Sequence, residues 1–173
     1  MPENTSETNI SDRRVVAFLK LLRWAEGYPH EPTESNFKTI YGGGTMNDFK
    51  DHPRQMVTAW GKTASAAGAY QINIETYDEF KKKLKLNDFS PESQTQITLA
   101  IIAEKRALEL IREGHISDAV KKLHGRWSSL PGGKHSRIKM PEALTKFDYY
   151  LMETAGPQVF YEMPRFRFSQ FAF

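Results

Sequence analysis

A carboxyl that keeps its proton near neutral pH can protonate a leaving group, and the position of Glu26 meets two conditions for that. From Asp12, a residue type suited to a helix N-cap, Val15, Phe18, Leu19, Leu22 and Ala25 recur at helical spacing until Gly27 supplies a stop. Glu26 stands four residues beyond Leu22, about 40° round the helix from it, so its side chain leans toward the apolar stripe. It also falls in the last turn, where the helix dipole is negative and disfavours an anion. Burial and dipole both push a carboxyl toward its protonated form, the form a general acid needs. Helix geometry alone still favours the plainer outcome, a glutamate that ends a helix and reaches into solvent.

A second run, Ser65-Ala66-Ala67-Gly68-Ala69-Tyr70-Gln71-Ile72, joins small residues that admit another surface to a hydroxyl and an amide. Uncharged donors and acceptors beside aromatic faces are what a saccharide requires, and aromatic residues make up 12% of the chain, Trp24, Trp60 and Trp127 among them. A packed turn with Tyr70 in the core is an equal expectation for this run.

Other chemistries are set aside by residue type. With no Cys there is no disulfide framework, thiolate metal site, iron–sulfur ligation or cysteine nucleophile. His30, His52, His115, His124 and His135 show no HExxH pairing and no three-ligand spacing, so no metal and no cofactor are expected. Gly42-Gly43-Gly44-Thr45 lacks the Lys-Ser or Lys-Thr of a phosphate loop and reads as a turn. Lys81-Lys82-Lys83 with Lys85 alternate with Tyr77, Phe80 and Leu84 and read as the wet face of an amphipathic helix, not as a nucleic-acid surface.

The elements that must position these residues are legible in outline. The 173 residues, at 39% hydrophobic and 26% charged, suit one globular domain, and a net charge of +3 leaves an acidic partner open. Residues 1–11 are polar and read as a disordered leader without the apolar core of a secretory signal. After the first helix, Phe37 to Phe49 suggests a small β-hairpin or irregular sheet, and residues 75–86 a helix. Ser90-Pro91-Glu92 opens a long helix expected to run to Gly114. A helix over about 117–123, a Leu130-Pro131-Gly132-Gly133 turn and a last helix from Pro141 to about Met152 complete a mostly helical α+β domain. The tail Arg165-Phe166-Arg167-Phe168-Ser169-Gln170-Phe171-Ala172-Phe173 alternates, which suits either an extended segment packed on the domain or contact with anionic lipid.

Six ordered blocks carry a resemblance. Arg23-Trp24-Ala25-Glu26-Gly27, Tyr41-Gly42-Gly43, Asp48 to Arg54, Ser65 to Gln71, Asp88-Phe89-Ser90-Pro91 and Trp127 to Gly132 stand in the order and approximate spacing of lambda-type phage endolysins. The resemblance covers roughly residues 12–155 and implies a lysozyme-like fold, with a substrate groove between a helical lobe and a small β-containing lobe. It implies peptidoglycan glycan strands as the partner, lytic transglycosylation as the reaction and Glu26 as the catalytic acid. Tyr41, Ser65, Tyr70, Gln71 and Trp127 are then expected to bind substrate, with Trp127 equally suited to the core, and residues 60–66 and 131–139 to form two lips over it. Residues 156–173 lie beyond the resemblance as a C-terminal extension.

Two-carboxylate glycosidases need a second acid about 5 to 9.5 Å from the first. Asp48 and Asp51 are the candidates here, although Asp51-His52-Pro53-Arg54 also reads as a turn fixed by a capping Asp and Pro. If either faces Glu26, a hydrolytic muramidase becomes the alternative. The family further implies a monomer held in the cytoplasm of an infected bacterium until the membrane is permeabilised.

Overall fold

The structure, a computed structural model, describes residues 5–154, with side chains from Asp12 onward. The tail and the 156–173 extension lie outside the described residues. The described residues divide into two units, one made of residues 5–30 and 101–154 and the other of residues 31–100.

In the first unit, α1 (Thr5–Gly27) packs against α4 (Leu108–Glu113) and α6 (Met140–Glu153), and α5 (Ile116–Leu123) joins α4 and α6. Val15, Phe18, Leu19, Leu22 and Ala25 are all buried, as their periodicity predicts. Phe147 and Tyr150 of α6 and Ile111 of α4 are buried with them. Side-chain ties reinforce the packing: Arg14 Nη1 donates to the Arg112 carbonyl at 2.6 Å, and the Lys20 ammonium meets Glu153 at 2.9 Å. The helix begins at Thr5 rather than at Asp12, because residues 5–11 contain neither Pro nor Gly to stop it.

The second unit carries two short antiparallel hairpins. Strands β1 (Thr39–Ile40) and β2 (Gly44–Thr45) pair Thr39 with Thr45, and β3 (Val57–Ala59) and β4 (Lys62–Ala64) pair Thr58 with Thr63. The expected hairpin near residue 40 is present, whereas the second hairpin falls where sequence suggested only a lip. Residues 65–72 are zipped onto β1: Tyr41 N–H donates to the Ala66 carbonyl at 2.9 Å and Gly68 N–H to the Thr39 carbonyl at 2.7 Å. Next along the chain come α2 (Ile74–Leu84) and α3 (Pro91–Glu104), the helix along which the chain passes from the second unit back into the first.

Ser90 caps α3 as its sequence announced, its hydroxyl accepting Ser93 N–H at 3.2 Å. Asp88 Oδ1 braces the cap, accepting from Ser90 N–H at 3.0 Å and the Ser93 hydroxyl at 2.6 Å. The helix does not continue to Gly114. Arg106 is left-handed at φ 54°, Ala107 N–H bonds back to the Ile102 carbonyl and Arg106 N–H to the Ala103 carbonyl, so a Schellman stop closes α3 and α4 starts afresh. Because arginine fills the position that glycine usually takes, apolar periodicity ran straight across the break.

His52 is a core residue of the second unit. Its ring lies 4.9 Å from Phe89 and 5.6 Å from Tyr77, centroid to centroid. Nε2 donates to the Ile72 carbonyl at 2.8 Å while Nδ1 accepts Arg54 N–H at 3.1 Å, which fixes one neutral tautomer. Burial pushes this imidazole below the ordinary histidine range, the Ile72 hydrogen bond offsetting only part of that.

Candidate active site

Glu26 sits in the last turn of α1, partly buried, and the hydroxyl of Ser129 donates to its Oε1 at 2.5 Å. Both residues belong to the first unit. Ser129 is carried by a chain of tight turns: Trp127 N–H bonds to the Leu123 carbonyl, Leu130 N–H to the Trp127 carbonyl and Gly133 N–H to the Leu130 carbonyl. The Ser128 hydroxyl and His135 Nδ1, 2.9 Å apart, together with His135 N–H on the Ser128 carbonyl, clasp the two sides of this segment. A side chain on Gly133 would overlap the Ser128 backbone, so only glycine permits the clasp. Trp127 is 4% exposed and supports the segment from inside.

The chemical value of this pair is clear from its groups. A carboxyl whose oxygen accepts a short hydroxyl hydrogen bond is held in one orientation. That suits a residue that gives up a proton and takes it back. Ser129 appeared in the sequence only as part of a block, because its partner is 103 residues away and no local spacing reports such a pairing. If Glu26 handles a proton in the reaction, replacing Ser129 with Ala is expected to lower turnover about 10- to 100-fold through loss of this hydrogen bond. Ser129→Thr, which keeps the hydroxyl, should recover most of it, and circular dichroism should show both variants folded.

In the second unit, the Ser65 to Gln71 run is organised for its own packing. Ser65 is 5% exposed and its hydroxyl accepts the N–H of Ile74, the first residue of α2, at 3.2 Å. Tyr70 is 3% exposed, with its ring edge-on to Phe37 and its hydroxyl 3.5 Å from that of Thr95. Gln71, at φ 47°, is partly exposed and its amide donates to the Gly68 carbonyl at 2.9 Å. Tyr41 is also partly exposed, its hydroxyl donating to the Ala59 carbonyl at 3.1 Å.

Asp48 and Asp51 line a shallow cleft of about 320 Å³ with His52 and Thr45. Asp48 Oδ1 accepts Lys50 N–H at 2.9 Å, an Asx-type turn. Asp51 is held by two cations, Arg54 Nε on Oδ2 at 2.7 Å and Lys81 Nζ on Oδ1 at 3.0 Å. Arg54 in turn grips Asp78 with two hydrogen bonds at 2.6 and 3.1 Å, tying the turn to α2. Burial pulls the Asp51 carboxyl upward, but hydrogen bonds from Arg54, Lys81 and Tyr77 outweigh it and hold it well below the usual carboxylate range. With its folded value depressed, Asp51 contributes stability that is complete above about pH 4 and lost as pH falls through the folded value. Asp51→Asn should therefore flatten the acid limb of a melting-temperature profile, by a few degrees at most because the network is partly exposed.

Among the described residues, no three His, Asp or Glu side chains are grouped to hold a metal ion, and no helix is long and apolar enough to cross a membrane. A glutamate ending a long helix, in a mostly helical chain with two small hairpins, marks a lysozyme-like protein. The chain belongs to the endolysin family, whose pattern matches residues 16–155. It is 36% identical to the endolysin of Escherichia phage lambda over 137 residues, which span 76% of this chain and 87% of that one. It is 30% identical to the endolysin of Escherichia phage P2 over 138 residues, 72% of this chain and 84% of the relative. The fold is similar to that of bacteriophage lambda lysozyme complexed with a chitohexasaccharide, at a TM-score of 0.73 and 33% identity over 80% of this chain and 94% of that one.

Proposed function

We propose that the chain cleaves peptidoglycan glycan strands between N-acetylmuramic acid and N-acetylglucosamine by lytic transglycosylation, with Glu26 as the sole acid and base. Glu26 protonates the glycosidic oxygen as its bond to the muramyl anomeric carbon breaks, so the N-acetylglucosamine side leaves as an alcohol. The resulting carboxylate, steadied by Ser129, takes the proton from the muramyl 6-hydroxyl. That oxygen closes on the anomeric carbon, leaving a 1,6-anhydro end and Glu26 protonated again. No water is consumed. The endolysin relationship supports the substrate, and the position of Glu26 supports its role.

The observation that carries the one-carboxylate reading is the employment of the other two acids. Asp51 is paired with Arg54 and Lys81, and Asp48 caps the turn at Lys50. Hydrolysis, the second reading, is favoured by one feature, the exposed Asp48 carboxylate at the rim of an open cleft. Asp48→Asn and Asp51→Asn separate the readings in a lysis assay on permeabilised cells. Folded variants of both should keep activity within about threefold of wild type, since neither group handles a proton; a loss at either position comparable to the ~10²–10⁴ of a missing general acid–base group would instead support the muramidase. The protein is proposed to work after the cytoplasmic membrane has been permeabilised.

A further inference from the structure

Trp60 is exposed where the other two tryptophans are buried. It is 80% exposed, whereas Trp24 and Trp127 are each 4% exposed. It is also the first residue of the two-residue turn closing β3 on β4, where Trp60 and Gly61 take φ of 50° and 74°. That pair of positive φ values is the one type I′ turns require, and Asn-Gly or Asp-Gly satisfies it most easily. A bulky aromatic there carries backbone strain as well as exposed apolar area. Both features disfavour the free protein, and they coincide on one side chain.

The ring is also held. Tyr41 meets it edge-on at 5.3 Å and 90°, and the Tyr41 hydroxyl is anchored on the Ala59 carbonyl at 3.1 Å. The close approach of the two hairpins depends on Gly42, where a Cβ would lie 2.9 Å from Val57 Cγ1 and 3.3 Å from the Ala59 Cβ. A braced, flat, apolar face matches the C–H face of a pyranose. We infer that Trp60 is a stacking platform for one sugar ring of the glycan strand, a binding residue additional to Glu26; the inference rests on the glycan-cleaving reading above.

The substitution Trp60→Asn sets the two roles of the position against each other. Asparagine suits the turn, so the melting temperature should stay equal or rise, while affinity for purified uncross-linked glycan strands, measured by calorimetry, should fall roughly tenfold, as for loss of an aromatic anchor. In wild type, saturating strands should blue-shift the tryptophan emission and protect it from acrylamide, a signal dominated by the one exposed indole. Strand binding by Trp60→Asn as tight as wild type, or unchanged emission at calorimetric saturation, would overturn the platform while leaving the glycan reading intact. An emission shift with anionic lipid vesicles but not with strands would overturn it in favour of a membrane contact. Wild-type protein that neither binds strands nor lyses permeabilised cells would remove the glycan reading itself, and the platform with it.

Discussion

Replacing Glu26 with Gln should abolish lysis of permeabilised cells while leaving the melting temperature within a few degrees of wild type. The amide keeps the size of the carboxyl and can still accept the Ser129 hydroxyl hydrogen bond, so the turns around residue 129 lose little. What it cannot do is donate a proton to a leaving oxygen and recover one from the attacking hydroxyl. The loss should be at least the ~10²–10⁴ typical of a general acid–base group, and larger where one residue serves both steps. Because the amide preserves the size and polarity of the carboxyl, substrate binding should survive. Strand binding at wild-type affinity together with absent turnover is the pattern expected, and near-normal turnover by folded Glu26→Gln would exclude the assigned role.

The largest effect on stability is expected at Gly68. This residue has φ +77°, and a Cβ there would overlap the side-chain carbonyl of Gln94. Gln94 is fully buried and fastens three segments: Oε1 accepts Ala69 N–H at 2.9 Å, and Nε2 donates to the Phe37 and Phe89 carbonyls at 3.0 and 2.9 Å. Gly68→Ala must therefore take a left-handed backbone and push aside an amide whose three partners have no water to turn to. A cost of about 3 kcal/mol or more follows from the strain and the unpaired groups, or roughly 6–12 °C in melting temperature. The double variant Gly68→Ala/Gln94→Ala should show strong non-additivity, since the overlap disappears with the amide. Additive losses in that cycle would show that Gly68 acts through its backbone conformation alone.

The features that sequence disclosed and those it concealed differ in range. Ser90-Pro91-Glu92 announced α3 because capping is decided within four residues, and the α1 stripe announced itself by period. The stop at Arg106 was hidden because a Schellman closure is a backbone event that arginine tolerates, and apolar spacing continues on both sides of it. The β3–β4 hairpin was hidden for a related reason, Trp60 standing where a turn signal would be Asn or Asp. Residues expected at the substrate divided by burial. Ser65 and Tyr70 supply polar groups to the fold itself, while Gln71 and Tyr41 stay partly exposed. Ser129 was out of reach of any local rule, since a hydroxyl that meets a carboxyl 103 residues away is visible only once the chain has folded.

The reaction itself can be read from the new chain ends. Purified peptidoglycan digested in heavy-oxygen water and analysed by mass spectrometry should yield muropeptides with 1,6-anhydro termini, one water lighter than reducing-end products and free of the label. Closure by the muramyl 6-hydroxyl draws no oxygen from solvent, so the result does not depend on rate. Reducing ends carrying heavy oxygen would contradict the one-carboxylate transglycosylase and establish that water attacks the anomeric carbon.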